Sequence, residues 1–191
     1  MILPIVAFGN PVLRSKSKEI KEDYDNLDIL INDMWETMYN AKGVGLAAPQ
    51  IGKSIRVFVV DASPFSEDEE LELTERKKII GFKKVFINPT IVRQSSKLCS
   101  FTEGCLSIPD VRENVKREDE IEINFFDQNF NQQILKIDGL RARVVQHEYD
   151  HIEGILFTDK ISSFKRKIIN NKLKNISTGK ISVSYPMSFD K

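Results

Sequence analysis

The chain has two histidines, four residues apart in the run Gln146-His147-Glu148-Tyr149-Asp150-His151. On a helix of about 3.6 residues per turn, positions i and i+4 project from one face. His147 and His151 are therefore spaced to grip a single metal ion. Glu148 lies beside the pair, where a carboxylate can take a proton from a water that the metal activates. The competing reading is a surface helix with scattered histidines, and it gives no reason for a glutamate directly after the first of them.

Two imidazoles leave such a site short of a donor, because a catalytic site of this type has three protein ligands and a position open to water. The third could come from Cys105, Cys99, Glu153 or a carboxylate distant in sequence. Cys105 stands in Glu103-Gly104-Cys105-Leu106-Ser107, at the end of a predicted strand, where Gly104 permits close backbone approach. Cys99 lies within a strand-like run and reads as a small core residue. Spacing alone does not choose among these donors. The loop Gly43-Val44-Gly45-Leu46-Ala47-Ala48-Pro49-Gln50 is not a phosphate loop: it follows a helix, and no Gly-Lys-Ser/Thr completes it. It marks tight backbone, and Gln50 taken alone reads as a turn-stabilising side chain.

The elements that must carry these residues follow from periodicity. Leu27, Leu30, Ile31, Met34 and Met38 predict a core-facing helix over 25–41, with Asp25 as N-cap and Gly43 as stop. Strands are predicted over 55–60, 84–93 (with an edge or bulge at Pro89), 97–102, 119–126 and 132–137, the last two joined by a turn. The histidine helix is predicted over 139–152, ending near Gly154. Residues 62–80, with Glu67-Asp68-Glu69-Glu70 and Arg76-Lys77-Lys78, lack clean periodicity and are expected to form a solvated, mobile insertion. From Lys160 to Lys180 the chain is basic with no acidic residue. Phe164, Ile168, Ile169 and Leu173 there predict a C-terminal helix with a basic face. Residues 1–175 are expected to form one domain, and 176–191 an extended or disordered tail.

Composition limits the function classes. The 191 residues carry 28 basic and 28 acidic side chains, a balance that gives no reason to expect a DNA-binding or membrane-surface protein. No apolar run approaches a membrane span. The N-terminal stretch lacks a basic leader and is expected to be mature structure. Two cysteines, Cys99 and Cys105, make no disulfide framework, and a reducing cytosol fits them.

Taken together, the Gly43–Gln50 loop, Glu103-Gly104-Cys105-Leu106-Ser107 and Gln146-His147-Glu148-Tyr149-Asp150-His151-Ile152-Glu153-Gly154 resemble, in order, the three signature motifs of peptide deformylases. Gly9-Asn10-Pro11-Val12-Leu13-Arg14 is similar to that family's N-terminal segment, and the resemblance spans roughly residues 5–160. It implies a bacterial, cytoplasmic metallohydrolase that removes the formyl group from N-terminal formylmethionine of nascent peptides and releases formate. Cys105, His147 and His151 would bind the metal, natively Fe2+, with Zn2+, Ni2+ or Co2+ as substitutes. The donor types alone would suggest zinc. Glu148 would be the general acid/base toward a metal-bound water, while the Gln50 amide and the Leu106 N–H would stabilise the oxyanion.

The resemblance also places the peptide along the backbone near Gly45 and the Glu103 strand, with Val44 and Val144 lining a methionine pocket and Arg112 contacting substrate. Glu103 and Arg117 match a structural ion pair. The implied fold is α+β: antiparallel β-sheets surrounding a central metal-binding helix, with an N-terminal and a C-terminal helix. The basic C-terminal helix could contact the ribosome. The competing functions are a zinc endopeptidase of the His-Glu-x-x-His class, in which the Cys105 motif has no place, and a noncatalytic metal-binding or ribosome-docking module, which would need no Glu148.

Overall fold

The computed structural model describes residues 1–189. The elements run β1 (Ile5–Val6), α1 (Leu27–Asn40), β2 (Gly45–Ala47), β3 (Val57–Asp61), α2 (Leu73–Ile79), β4 (Lys83–Gln94), β5 (Leu98–Cys105), β6 (Ile108–Glu118), β7 (Glu120–Phe126), β8 (Gln132–Asp138), α3 (Gly139–Ile152), α4 (Ser163–Ser177) and β9 (Met187–Ser188). The central sheet is antiparallel, in the order β2-β3-β4-β7-β8, and β5 and β6 pair separately.

β3 is buried along its whole length, as its apolar run Val57-Phe58-Val59-Val60 requires of a strand covered on both faces. Alternate side chains point to opposite faces. Val57 and Val59 pack with Leu46, Val85 and Ile87 against the α1 stripe Leu27, Leu30, Ile31, Met34 and Met38. Phe58 and Val60 join Phe86, Ile121, Ile123 and Phe125 against Leu140, Val144 and Val145 of α3. The histidine helix therefore lies on one face of the sheet, with α1 on the other. This is the expected α+β arrangement around a central helix.

Local details differ from the sequence reading. The N-cap of α1 is Asn26, in left-handed conformation at φ 56° and without a side-chain cap bond, in place of Asp25. At the other end Lys42, not Gly43, takes the positive φ, 55°. Lys42 N–H donates to Tyr39 O at 3.0 Å and Gly43 N–H to Met38 O at 2.9 Å, the bond pair of a Schellman stop. Gly43 is required for another reason: a Cβ there would lie 2.8 Å from Leu106 Cδ1. The irregularity expected at Pro89 is a register shift between the Ile87–Phe126 and Thr90–Asn124 pairs.

Residues 62–80, expected as a solvated excursion, are largely exposed but form a 3-10 turn (Ser63–Glu67) followed by α2. Ile79 is fully buried, and Phe65 and Leu71 pack on the cluster beneath α3. A helix this short buries too few residues to show a period. In α4 the buried residues are Ile169, Leu173 and Ile176. Phe164 and Ile168, assigned by spacing to the apolar stripe, are 72% and 64% exposed. Of the expected 176–191 tail, Ile176 and Ser177 belong to α4, and the chain beyond them returns to the N-terminus, where β9 pairs with β1 in parallel, Ile5 opposite Met187 and Val6 opposite Ser188. The last two residues of the expected tail, 190–191, lie outside the described residues.

Candidate active site

α3 is unusual for a buried helix because half of its buried residues are polar: Arg143, Gln146, Glu148, Asp150 and His151. Buried polar groups need partners, and here most of the partners meet at one point. Cys105 Sγ, at the end of β5, lies 3.3 Å from His151 Nε2. The donor atoms of Cys105, His147 and His151 all fall within 4.8 Å of one another. Donors on one tetrahedral ion at ordinary bond lengths sit about 3.5 Å apart, so the three fit a metal after small adjustment. The other third donors are committed elsewhere. Cys99 Sγ contacts Arg143 Nη2 at 3.1 Å and is half-buried, not a core residue. Glu153 pairs with Arg56 at 2.6 Å and Lys16 at 3.0 Å.

Behind the ligands lies a charge network. His147 Nδ1 meets Glu103 Oε2 at 2.9 Å, which leaves Nε2 to face the metal position. Arg117 holds Glu103 with two bonds, at 2.6 and 2.8 Å, and reaches Asp150 at 2.5 Å. Arg143 adds a bond to Glu103 at 2.8 Å. Burial pushes the Glu103 pKa up, but the bonds from Arg117 and His147 outweigh it and hold the carboxyl well below its usual range. Its side chain is thus fully engaged, and only its strand remains for a substrate to pair with. Burial, then the neighbouring His147 charge, keeps His151 well below its usual pKa, in the neutral form that binds metals. At His147 burial opposes charge, but Cys105 and Glu103 raise its affinity for a proton. A metal cation would satisfy the same two anionic neighbours. Sequence reading missed Arg143 and Asp150. The available signal was helical spacing, since Arg143 stands one turn before His147.

These groups open onto a cleft of ≈1160 Å³ lined by Gly45, Gln50, Cys105, Leu106, His147 and Glu148. Val44, Val144, Glu103 and Arg112 also border it, with Arg112 exposed at the rim. Phe65, Leu71 and Phe101 extend its apolar side, and the first two come from the segment that the sequence left without a role. The Glu148 carboxyl is buried, and its Oε2 has no hydrogen-bond partner among the described residues. Burial pushes its pKa up to about 7. Gly45 lies directly against it, and a Cβ on residue 45 would fall 2.7 Å from the Glu148 carboxyl carbon. Gln50 accepts Ala47 N–H through Oε1 at 2.8 Å. Its amide nitrogen is thereby turned toward the cleft, 3.5 Å from Cys105 Sγ and 3.4 Å from Ser107 Oγ.

Known proteins are similar to this chain in sequence and fold. The family model "Polypeptide deformylase" matches residues 2–167. Peptide deformylase of Christiangramia forsetii is 56% identical over 99% of this chain and 96% of its own length, and that of Cytophaga hutchinsonii 44% over 99% and 98%. A crystal structure of peptide deformylase from Ehrlichia chaffeensis superimposes with a TM-score of 0.82 at 33% identity, covering 94% of this chain and 99% of that one. Another structure of the Ehrlichia protein, in complex with actinonin, gives a TM-score of 0.79 at 34% identity over 95% and 99%. With the motifs, the fold and the ligand cluster in agreement, the chain belongs to the polypeptide deformylase family.

Proposed function

We propose that the chain hydrolyses the formyl group from N-terminal formylmethionine of newly made peptides, with Glu148 moving the proton and Cys105, His147 and His151 holding a divalent ion. The observation that carries this reading is the meeting of that ligand triad with an unpartnered, buried Glu148 Oε2 in one cleft. When bound, the ion supplies a Lewis acid and makes water a nucleophile near neutral pH. Glu148, raised to about 7, takes the proton of the attacking water and delivers it to the departing amine. The formyl C–N bond breaks, one water is consumed, and formate and a free amino terminus leave. The Gln50 amide and the Leu106 N–H donate to the formyl oxygen as its negative charge grows. A peptide laid beside Gly45 and the Glu103 strand sends its methionine side chain between Val44 and Val144, and Arg112 meets it at the rim.

Ferrous iron is the native metal in this reading, with zinc, nickel or cobalt able to replace it. We assign the protein to the bacterial cytoplasm. Among the described residues no helix is long and apolar enough to cross a membrane. The basic face of α4 is proposed to contact the ribosome, and co-sedimentation with ribosomes at graded salt tests it.

The reaction itself is tested with three substrates: a formyl-Met peptide, its acetyl analogue and an unmodified protein. Formate release from the first alone, lost on chelation and blocked by actinonin, is the expected result. Internal cleavage of the protein would instead identify an endopeptidase.

A further inference from the structure

The turn after the ligand Cys105 is gripped from outside by both ends of the chain. Cys105 pairs with Ile108 across it, leaving Leu106 and Ser107 at its centre. The Ser107 carbonyl accepts Phe8 N–H at 2.9 Å. The Leu106 carbonyl accepts the Tyr185 hydroxyl at 2.8 Å. Phe8 and Tyr185 flank the β1–β9 pair, which is closed by Ile5 N–H to Pro186 O and Ala7 N–H to Ser188 O, both at 2.9 Å. One short ribbon therefore presents two donors to two consecutive carbonyls. The Tyr185 ring packs in the same cluster as Leu106, and Ser182 to Tyr185 form a wall of the cleft.

We propose that Tyr185 is a positioning residue for deformylation: by holding the Leu106 carbonyl, it fixes the orientation of the residue whose N–H faces the formyl oxygen. The inference rests on the oxyanion role given to Leu106 above. A donor stabilises developing charge best when it needs no reorientation as the charge appears. On one side of Leu106 the chain is fixed by the Cys105 ligand. On the other, the Leu106–Ser107 peptide plane is held at its carbonyl by the Tyr185 hydroxyl. The Phe8 arm is a backbone bond that only proline at this position would remove, whereas the Tyr185 arm ends in one hydroxyl.

The test compares the parent, Tyr185→Phe and Gln50→Ala, each metal-loaded, on one formyl-Met peptide. It reads kcat, KM, bound metal, melting temperature and amide exchange across residues 103–108. Tyr185→Phe keeps the ring, so the fold and the metal content should hold. The expected result is a kcat lowered about three- to tenfold, the worth of one neutral hydrogen bond, with KM unchanged and faster exchange confined to that segment. An unchanged kcat with a Gln50→Ala variant that is impaired overturns the inference alone. A kcat loss that tracks metal loss or a global fall in melting temperature also overturns it, because the role is then structural. Full activity in both Gln50→Ala and Tyr185→Phe overturns the donor-pair reading and this inference with it.

Discussion

Two fourteen-residue helices flank the same sheet, and they are built on opposite terms. α1 buries Leu27, Leu30, Ile31, Met34 and Met38, and its polar residues mostly face solvent. α3 buries Arg143, Gln146, Glu148, Asp150 and His151 beside Leu140, Ala142, Val144, Val145 and Ile152. An apolar face holds a helix in place by area removed from water. A buried polar face holds only if each group finds a partner, and otherwise costs stability. On α3 the partners are Glu103 and Arg117 from the β5–β6 hairpin. Among the described residues, the atoms on this helix left unpartnered include Glu148 Oε2 and His151 Nδ1. The two helices thus separate what stabilises the fold from what the chemistry uses.

Glu148→Ala should give the largest effect. Loss of a general acid/base costs roughly 10²- to 10⁴-fold in rate, so kcat should fall by that factor while bound metal stays near one per chain. Stability should not fall, since the variant removes a buried carboxyl that lacks a full set of partners. Metal analysis, kinetics and a melt on one sample check all three, and full turnover would take Glu148 out of the mechanism.

Arg117→Met should come next. It strips Glu103 of its two-bond partner and Asp150 of its 2.5 Å bond. Breaking a buried pair from one side costs about 3–5 kcal/mol, and Arg143 at Glu103 places this case near the lower end. The orientation of His147 loosens as well, so metal affinity should drop about 10- to 100-fold. Met34→Ala on α1 is the counterpart. It opens a cavity costing about 2–5 kcal/mol and should leave kcat and metal affinity of the folded protein unchanged. Denaturant melts paired with metal titration separate the two. A Met34→Ala variant that lost metal affinity as Arg117→Met does would erase the contrast between the helices.

The sequence made the site legible in proportion to how local its signals were. The His147–Glu148–His151 spacing sits within one helix, so one period exposed it. The apolar stripe of α1 and the alternation in β7 were visible for the same reason. Cys105 could not be chosen over Cys99 or Glu153 by spacing, since only tertiary contacts commit those two to Arg143 and Arg56. Phe164 and Ile168 kept the helical period of α4 yet face outward, because period fixes a shared face and not what covers it. The β1–β9 pair joins residues at opposite ends of the chain, and a two-residue strand carries no pattern to announce it.

The 62–80 segment sharpens the comparison at its smallest scale. The first N–H groups of a helix have no partner inside it. α3 has no side-chain cap from Asp138, whose carboxylate instead pairs with Lys78 and Arg141. Glu75 of α2 fills the gap by accepting Leu140 N–H at 2.7 Å, and its negative charge suits the positive end of the helix dipole. The histidine helix is thus capped from a distant segment that composition alone marks as solvated. Glu75→Ala should cost about 1 kcal/mol, the usual worth of a lost cap. His147 lies two turns further along, where the β5–β6 hairpin holds it, so kcat should change little. A stability loss near zero would mean that water replaces the carboxylate at this end. A fall in kcat as large as that of Arg117→Met would mean that the cap also sets the ligands, and that α2 belongs to the site.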